Sequence, residues 1–250
     1  YGLAKNDVGS GVRAENCWAW GNGFDANGNP IGDGNGFKLG GQRPGLDNTS
    51  GGHTIIDCVS WDNLTAGFVS NGATIAMTVV NSTAYGNGTY DFLFDSGAHT
   101  LTNNLSFAGK LGNQITAAMV ETANSWQLPV KVTAADFVSL FDSIARGARQ
   151  ADGSLPDATF LHLAQNSSLI DKGVDVGLPA VGLPDLGAFE SNWQTGSDPT
   201  GGGGNPAVVA ITGTASADTL SGTSGDDIMY GVGGNDTLNG LAGKDQISGG

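Results

Sequence analysis

The chain has 250 residues, 39% of them hydrophobic and 42 of them glycine, with 24 acidic against 10 basic side chains and a formal charge of −14. That length supports one or two domains with a real core, and the charge argues against nucleic acid or an anionic membrane surface as a partner. No apolar run is long enough to span a bilayer, and abundant glycine without a collagen triplet points to many tight turns. Strong net negativity suits an extracellular protein, or one that binds divalent cations.

The first predicted elements are the coils of a solenoid. "NCWAWGNG" (16–23), "DCVSWDN" (57–63), "NSTAYGNG" (81–88) and "NNLSFAG" (103–109) align with Asn16, Asp57, Asn81 and Asn103 in one column. Trp20, Trp61, Tyr85 and Phe107 fill a second column four residues on, each preceded by a small residue, with spacings of 41, 24 and 22. Coils of 22–24 residues suit a right-handed parallel β-helix, in which equivalent residues stack about 4.8 Å apart. The stacked Asn residues are expected to bond at a turn and the stacked rings to fill the core. Cys17 and Cys58 follow the ladder residues on neighbouring coils; free thiols are favoured because adjacent parallel strands fit disulfide geometry poorly.

The spacing of 41 is the informative irregularity. Phe37, Phe68 and Phe92 form a third column, and extra residues enter both before Phe37 ("FDANGNPIGDG", 24–34) and after Lys38 ("GQRPGLDNTSG"). Insertions in a solenoid become loops on one side, often the binding side. If Phe37 and Leu39 point inward, strand alternation points Lys38 outward, onto the floor of a groove between two loops. Asp33 and Asn35 on the first loop, and Arg43 on the second, are candidate substrate contacts. Arg43 could clamp a carboxylate in bidentate fashion or pair with Asp47. Asp25, Asn27 and Asn29 match the start of an EF-hand loop, but Pro30 stands where its glycine belongs and Gly36 where its glutamate belongs, so that reading is rejected. His53, His99 and His162 have no ligand spacing and read as structural or surface residues.

Residues 113–193 break the coil pattern and are expected to form a C-terminal cap. Within them "TAADFVSLFDSIARGARQ" (133–150) predicts a helix, with Thr133 as N-cap, Asp136 completing a capping box, and Phe137, Leu140, Phe141 and Ile144 on one face. "QTGSDPTGGGGNP" (194–206) reads as a flexible linker. From Gly213 the chain divides into nines, "GTASADTLS", "GTSGDDIMY", "GVGGNDTLN" and "GLAGKDQIS". Asp218, Asp227, Asp236 and Asp245 form one column, and Leu220, Met229, Leu238 and Ile247 another. This pattern resembles the RTX, or hemolysin-type, calcium-binding β-roll. Calcium takes six to eight oxygen ligands, and the four aspartates are the candidates. With turns alternating sides, Asp218 should pair with Asp236 and Asp227 with Asp245. The expected fold is therefore all-β: β-helix coils over 1–112, a partly helical cap over 113–193, the linker, and a short parallel β-roll over 207–250.

A long groove with an outward lysine suits a linear acidic polymer. A uronic-acid polymer can be cleaved without water when a base removes the acidic C5 proton and the 4-linked sugar leaves. That base must be neutral, and a lysine begins near about 10.4, so nearby cations, burial or alkaline conditions are needed. "ENCWAWGNGFDANGNPIGDGNGFKLGG" (15–41), "GGHTIIDCVSWDN" (51–63) and the closing "SSLIDKGVDVG…PDLGAFE" (167–190) resemble the family 9 polysaccharide lyases, the parallel β-helix pectate lyases. The resemblance covers residues 1–190, and "NGFKLGG" is its most specific part. It implies cleavage of polygalacturonate by calcium-assisted β-elimination, with Lys38 as catalytic base. It also implies a catalytic calcium on an aspartate cluster one coil earlier, which would lie upstream of Tyr1; Asp7 does not replace that set. A monomer exported by type I secretion is the corresponding expectation. Two rival readings are a uronan epimerase or alginate lyase, which usually needs a tyrosine and histidine pair not found near Lys38, and a non-catalytic β-helix adhesin or matrix protein.

Overall fold

A computed structural model describes residues 11–41, 51–116, 118–180, 182–191, 209–222, 227–241 and 246–249. Arg43, Asp245 and the linker at 194–206 lie outside the described residues. The chain forms two compact units, residues 1–195 and 196–250.

The first unit is a parallel β-solenoid with three strands per coil. The first coil contains β1 (Arg13–Glu15), β2 (Trp18–Trp20) and β3 (Phe37–Lys38); the second, β4 (Thr54–Ile56), β5 (Val59–Trp61) and β6 (Ala66–Val69). The third holds β7 (Thr78–Val80), β8 (Thr83–Tyr85) and β9 (Tyr90–Phe94); the fourth, β10 (Thr100–Thr102), β11 (Leu105–Phe107) and β12 (Gln114–Ile115), before β13 (Val120–Thr122). Corresponding strands stack into three parallel sheets, β1-β4-β7-β10-β13, β2-β5-β8-β11 and β3-β6-β9-β12. The solenoid therefore continues to Thr122, beyond the boundary expected at 112, because Thr100–Thr102 pairs in register with Val120–Thr122.

The first Asn column marks the sharp turn between the first two strands of each coil. Asn16, Asp57, Asn81 and Asn103 all have positive φ, 50°, 50°, 45° and 56°, and Ala123 extends the column at 52°. Asn and Asp tolerate this left-handed conformation better than other residues with a Cβ. Ile55, Phe68, Val79, Phe92, Phe94 and Leu101 form an apolar core within the coils.

The aromatic column lies elsewhere than expected. Trp20, Trp61, Tyr85 and Phe107 pack in a different cluster, against Phe137, Phe160, Leu163, Leu169, Ile170 and Leu186 of the C-terminal segment. Strand alternation explains the reversal: the small residues Ser60 and Ala84 are fully buried on the inner face, so the ring that follows each of them projects from the outer face. The Trp20 and Trp61 rings stack at 5.0 Å and 13°, and the Trp61 indole donates to Asp142 Oδ2 at 2.8 Å. The C-terminal segment covers this face of the solenoid.

That segment is not the helix its spacing predicts. Its only helical turn among the described residues is a 3-10 turn, Ala134–Asp136. The capping contact at its start is present, with Thr133 N donating to Asp136 Oδ2 at 2.8 Å. Beyond it, Phe137 bridges to Leu163 and Ser139 to Phe160, so the chain runs extended. Phe137 is buried, but Phe141 and Ile144 are exposed. Pairing with 160–163 and docking on the aromatic column override a local helical pattern.

The second unit has strands β14 (Val209–Thr212), β15 (Thr219–Ser221), β16 (Asp227–Tyr230), β17 (Thr237–Asn239) and β18 (Gln246–Ser248). They form two parallel sheets, β14-β16-β18 and β15-β17, so successive repeats alternate sides. Leu220 is in register with Leu238 and Met229 with Ile247.

Candidate active site

Lys38 stands where the sequence pattern puts it. Phe37, Phe68 and Phe92 stack at 4.9 and 5.0 Å with nearly parallel planes, and Lys38 is in register with Val69 and Leu93. Leu39 is buried beside it and its N–H donates to Val69 O at 3.0 Å. The backbone under Lys38 is thus fixed on both sides, while the side chain stays exposed.

The neighbouring glycines have a structural cause. A Cβ on Gly36 would fall on Ser60 Oγ, with Asn63 Nδ2 at 2.8 Å, and one on Gly40 would meet Ser70 O. Gly36 makes room for polar side chains inside the coil, on the side away from the groove. Gly34, at φ 62°, allows the loop to pass close over Leu64.

Lys38 lines an open groove of about 340 Å³ together with Asn22, Ile31, Asp33 and Asn35. Asp33 forms an ion pair with Lys38, and donation from Lys38, with its charge, holds the Asp33 carboxyl below the ordinary carboxylate range. Thr65 donates to Asp33 O at 2.5 Å, tying the loop to the second coil. Asn35 Oδ1 accepts from Ala66 N at 3.2 Å, so one end of this side chain is committed to the sheet. Asp25 turns inward on its own loop, accepting from Asn27 N and Asn29 N at 2.9 and 2.8 Å.

One feature of the site escaped the sequence reading. Two residues after each aromatic of the column stands an asparagine, Asn22, Asn63 and Asn87, until Gly109 takes the fourth place. Asn22 Nδ2 donates to Asn63 Oδ1 at 2.7 Å, Asn63 Nδ2 to Asn87 Oδ1 at 2.9 Å, and Asn87 Nδ2 to Asp91 Oδ1 at 2.9 Å. A Cβ on Gly109 would lie 2.6 Å from Asp91 Cγ, so the Asp91 carboxyl occupies the space the missing fourth side chain leaves. Burial pushes the Asp91 carboxyl up to about 6. The recurrence of Asn after each "W", "W" and "Y" was the signal available in the sequence.

Residues 3–104 match the family model described as "Pel9A-like, right handed beta helix region", and residues 212–247 match four copies of the RTX calcium-binding nonapeptide repeat. The solenoid is a Pel9A-like right-handed β-helix, and RTX calcium-binding repeats follow it. Pectate lyase L of Dickeya chrysanthemi is 37% identical over 194 residues, covering 72% of this chain and 43% of that protein. Pectate lyase PEL9 of Emericella nidulans is 34% identical over 158 residues, 61% of this chain and 38% of that protein. The crystal structure of pectate lyase Pel9A superposes with a TM-score of 0.63 at 36% identity, covering 72% of this chain and 45% of that chain. A rhamnogalacturonan lyase superposes at 0.55 with 26% identity, covering 62% and 42%. The chain thus spans less than half the length of these relatives.

The RTX residues fit a hard cation. The Oδ2 atoms of Asp218, Asp227 and Asp236 fold back over Gly213, Gly222 and Gly231, the first glycine of each repeat, leaving no room for a Cβ. Asp236 Oδ1 accepts from Asp218 N at 3.0 Å, linking repeats two apart, while its buried Oδ2 has no hydrogen-bond partner among the described residues. A buried carboxylate oxygen without a donor is costly unless a cation meets it. In the Pel9A-like groove the residues do not form such a site: Asp33 is engaged by Lys38, and no group of three His, Cys, Asp or Glu among the described residues could hold a metal.

Proposed function

We propose that the chain is part of a secreted polysaccharide lyase that cleaves polygalacturonate by β-elimination, with Lys38 as the base. The observation that carries this reading is the outward Lys38, held on a rigid strand in the groove of a Pel9A-like β-helix. The pectate lyases similar to this chain support the substrate class. In the proposed step, neutral Lys38 Nζ takes the C5 proton of a uronate residue. The C5–H electron pair becomes the C4–C5 double bond as the C4–O bond breaks, and the departing sugar oxygen takes a proton from water. Asp33 holds the resting lysine over the groove, and Arg43 and Asn35 are further proposed contacts to the polymer. Calcium, held by Asp218, Asp227, Asp236 and Asp245, supplies charge neutralisation that lets the repeats fold.

The test is the ultraviolet absorbance of unsaturated uronides released from polygalacturonate, with calcium present. Lys38→Ala should reduce the rate by about 10²–10⁴-fold, the usual contribution of a positioned base. Unchanged turnover in that variant would remove Lys38 from the role.

A further inference from the structure

We infer that Asp33 is a positioning residue that sets specificity: its carboxylate holds the place at Lys38 that a uronate carboxylate would otherwise take, so that the polymer meets the lysine with its C5–H. This rests on the reading of the groove as a uronan site.

An ammonium and a polyanion attract one another whether or not the contact is useful. A lysine ammonium has three N–H donors and no acceptor. Once it donates to the carboxylate of a uronate, it has no lone pair for the proton on the adjoining C5. An exposed lysine in a groove for such a polymer therefore invites an unproductive complex. Asp33 competes with that complex, because it already forms the ion pair with Lys38. Asp33 and Lys38 are the two charged side chains among the described residues lining the groove, so their charges cancel there.

The placement is built into the chain. Asp33 lies between Gly32 and Gly34, at φ 64° and 62°. Glycine adopts this left-handed conformation without strain, and the two turns bring the loop back beside the strand that carries Lys38. Thr65 then fixes the loop: its hydroxyl donates to Asp33 O at 2.5 Å and its N–H to Gly34 O at 2.8 Å. With the backbone held, release of Lys38 needs only rotation of the two side chains. The Asp33 side chain is 74% exposed and that of Lys38 40%, so an approaching polymer meets the carboxylate first.

The test compares the binding of galacturonate with that of galactose, its neutral counterpart, followed through the backbone amide resonances of 31–38. Asp33→Asn keeps the size of the side chain and removes its charge. It should tighten galacturonate about two- to fivefold, the range of an exposed charge pair, and leave galactose as it was. The gain should vanish in about 1 M salt, where screening acts within about 3 Å. It should vanish also when Lys38→Met is added to Asp33→Asn. Absence of a gain, an equal gain for galactose, or a gain that survives salt or the loss of Lys38 overturns the inference. Weaker binding of both sugars overturns it too, by making Asp33 a direct sugar contact. These outcomes are independent of cleavage, so the inference can hold in a protein without lyase activity, where the lyase reading alone fails. Where polygalacturonate is cleaved, Asp33→Asn should lower kcat and KM together, with KM falling at least as far, the mark of substrate held in an unproductive pose. A lower kcat at constant KM, or a raised KM, overturns it.

Discussion

The two units solve the same problem, stacking short coils, with opposite outcomes for their polar groups. The solenoid coils of 22–24 residues enclose enough space for an apolar core and for amides that satisfy one another. Besides the Asn22 ladder, Asn104 Nδ2 donates to Asn124 Oδ1 at 2.9 Å and Asn124 Nδ2 to Leu101 O at 2.8 Å. The nine-residue repeats contribute one column of apolar side chains and place a carboxylate at each turn, and Asp236 Oδ2 is left buried without a donor. Among the described residues the wide coil pairs its buried amides from its own sequence and leaves only the neutral-capable His99 Nε2 without a partner, whereas the narrow acidic one leaves a carboxylate oxygen that calls for a cation from outside.

Removing calcium should break this contrast most completely. With a chelator, amide protection across 209–249 should collapse, while tryptophan fluorescence stays constant, because all five tryptophans precede residue 196. Protection of the repeats that survives chelation would sink the proposed role of the aspartates.

The next largest effect belongs to the outer face of the solenoid. Trp61 is fully buried, stacks on Trp20 and bonds Asp142. Trp61→Ala should cost about 3–5 kcal/mol, read as a lower denaturant midpoint of the first unit. Phe141→Ala, at a side chain 68% exposed, should stay within about 0.5 kcal/mol. A comparable loss in both variants would mean that the C-terminal segment does not dock on the aromatic column.

The sequence made the columns legible because each recurs at an interval that only stacking explains. Lys38 was readable for the same reason: Phe37 belongs to a column, so the next residue must face outward. What periodicity does not carry is the side of the wall on which a column lies. The rings were expected inside, yet the small residues before them decide the matter, since Ser60 and Ala84 take the inward positions and alternation sends Trp61 and Tyr85 to the outer face. The helix expected at 133–150 failed because Phe137 and Ser139 bridge to Leu163 and Phe160, contacts that no local window contains. The amide ladder was visible as a repeated Asn, but its direction depends on Asp91 filling the space at Gly109, which only the three-dimensional register brings together.

The finest distinction is one of pH within the first unit. His162 is packed against the Phe189 ring at 4.0 Å, and burial pushes its imidazole down to about 4, against a small opposing pull from Asp157. Between about pH 6.5 and 4 the unfolded chain therefore binds the extra proton, and stability falls as pH falls through that window, by up to about 3 kcal/mol. Asp57 and Asp91 act in the other direction. Burial raises both to about 6, so the folded state binds protons first, and their contribution to stability grows as pH falls from about 6 toward 4. The two sets of groups thus bend the wild-type stability curve in opposite directions across the window. His162→Phe keeps a ring against Phe189 and removes only the titration, so on acidification from about pH 6.5 to 4 its unfolding free energy should rise relative to that of the wild type. Parallel pH curves for the two proteins would show that His162 titrates alike in the folded and unfolded states, and that the ring stack on Phe189 does not keep it neutral.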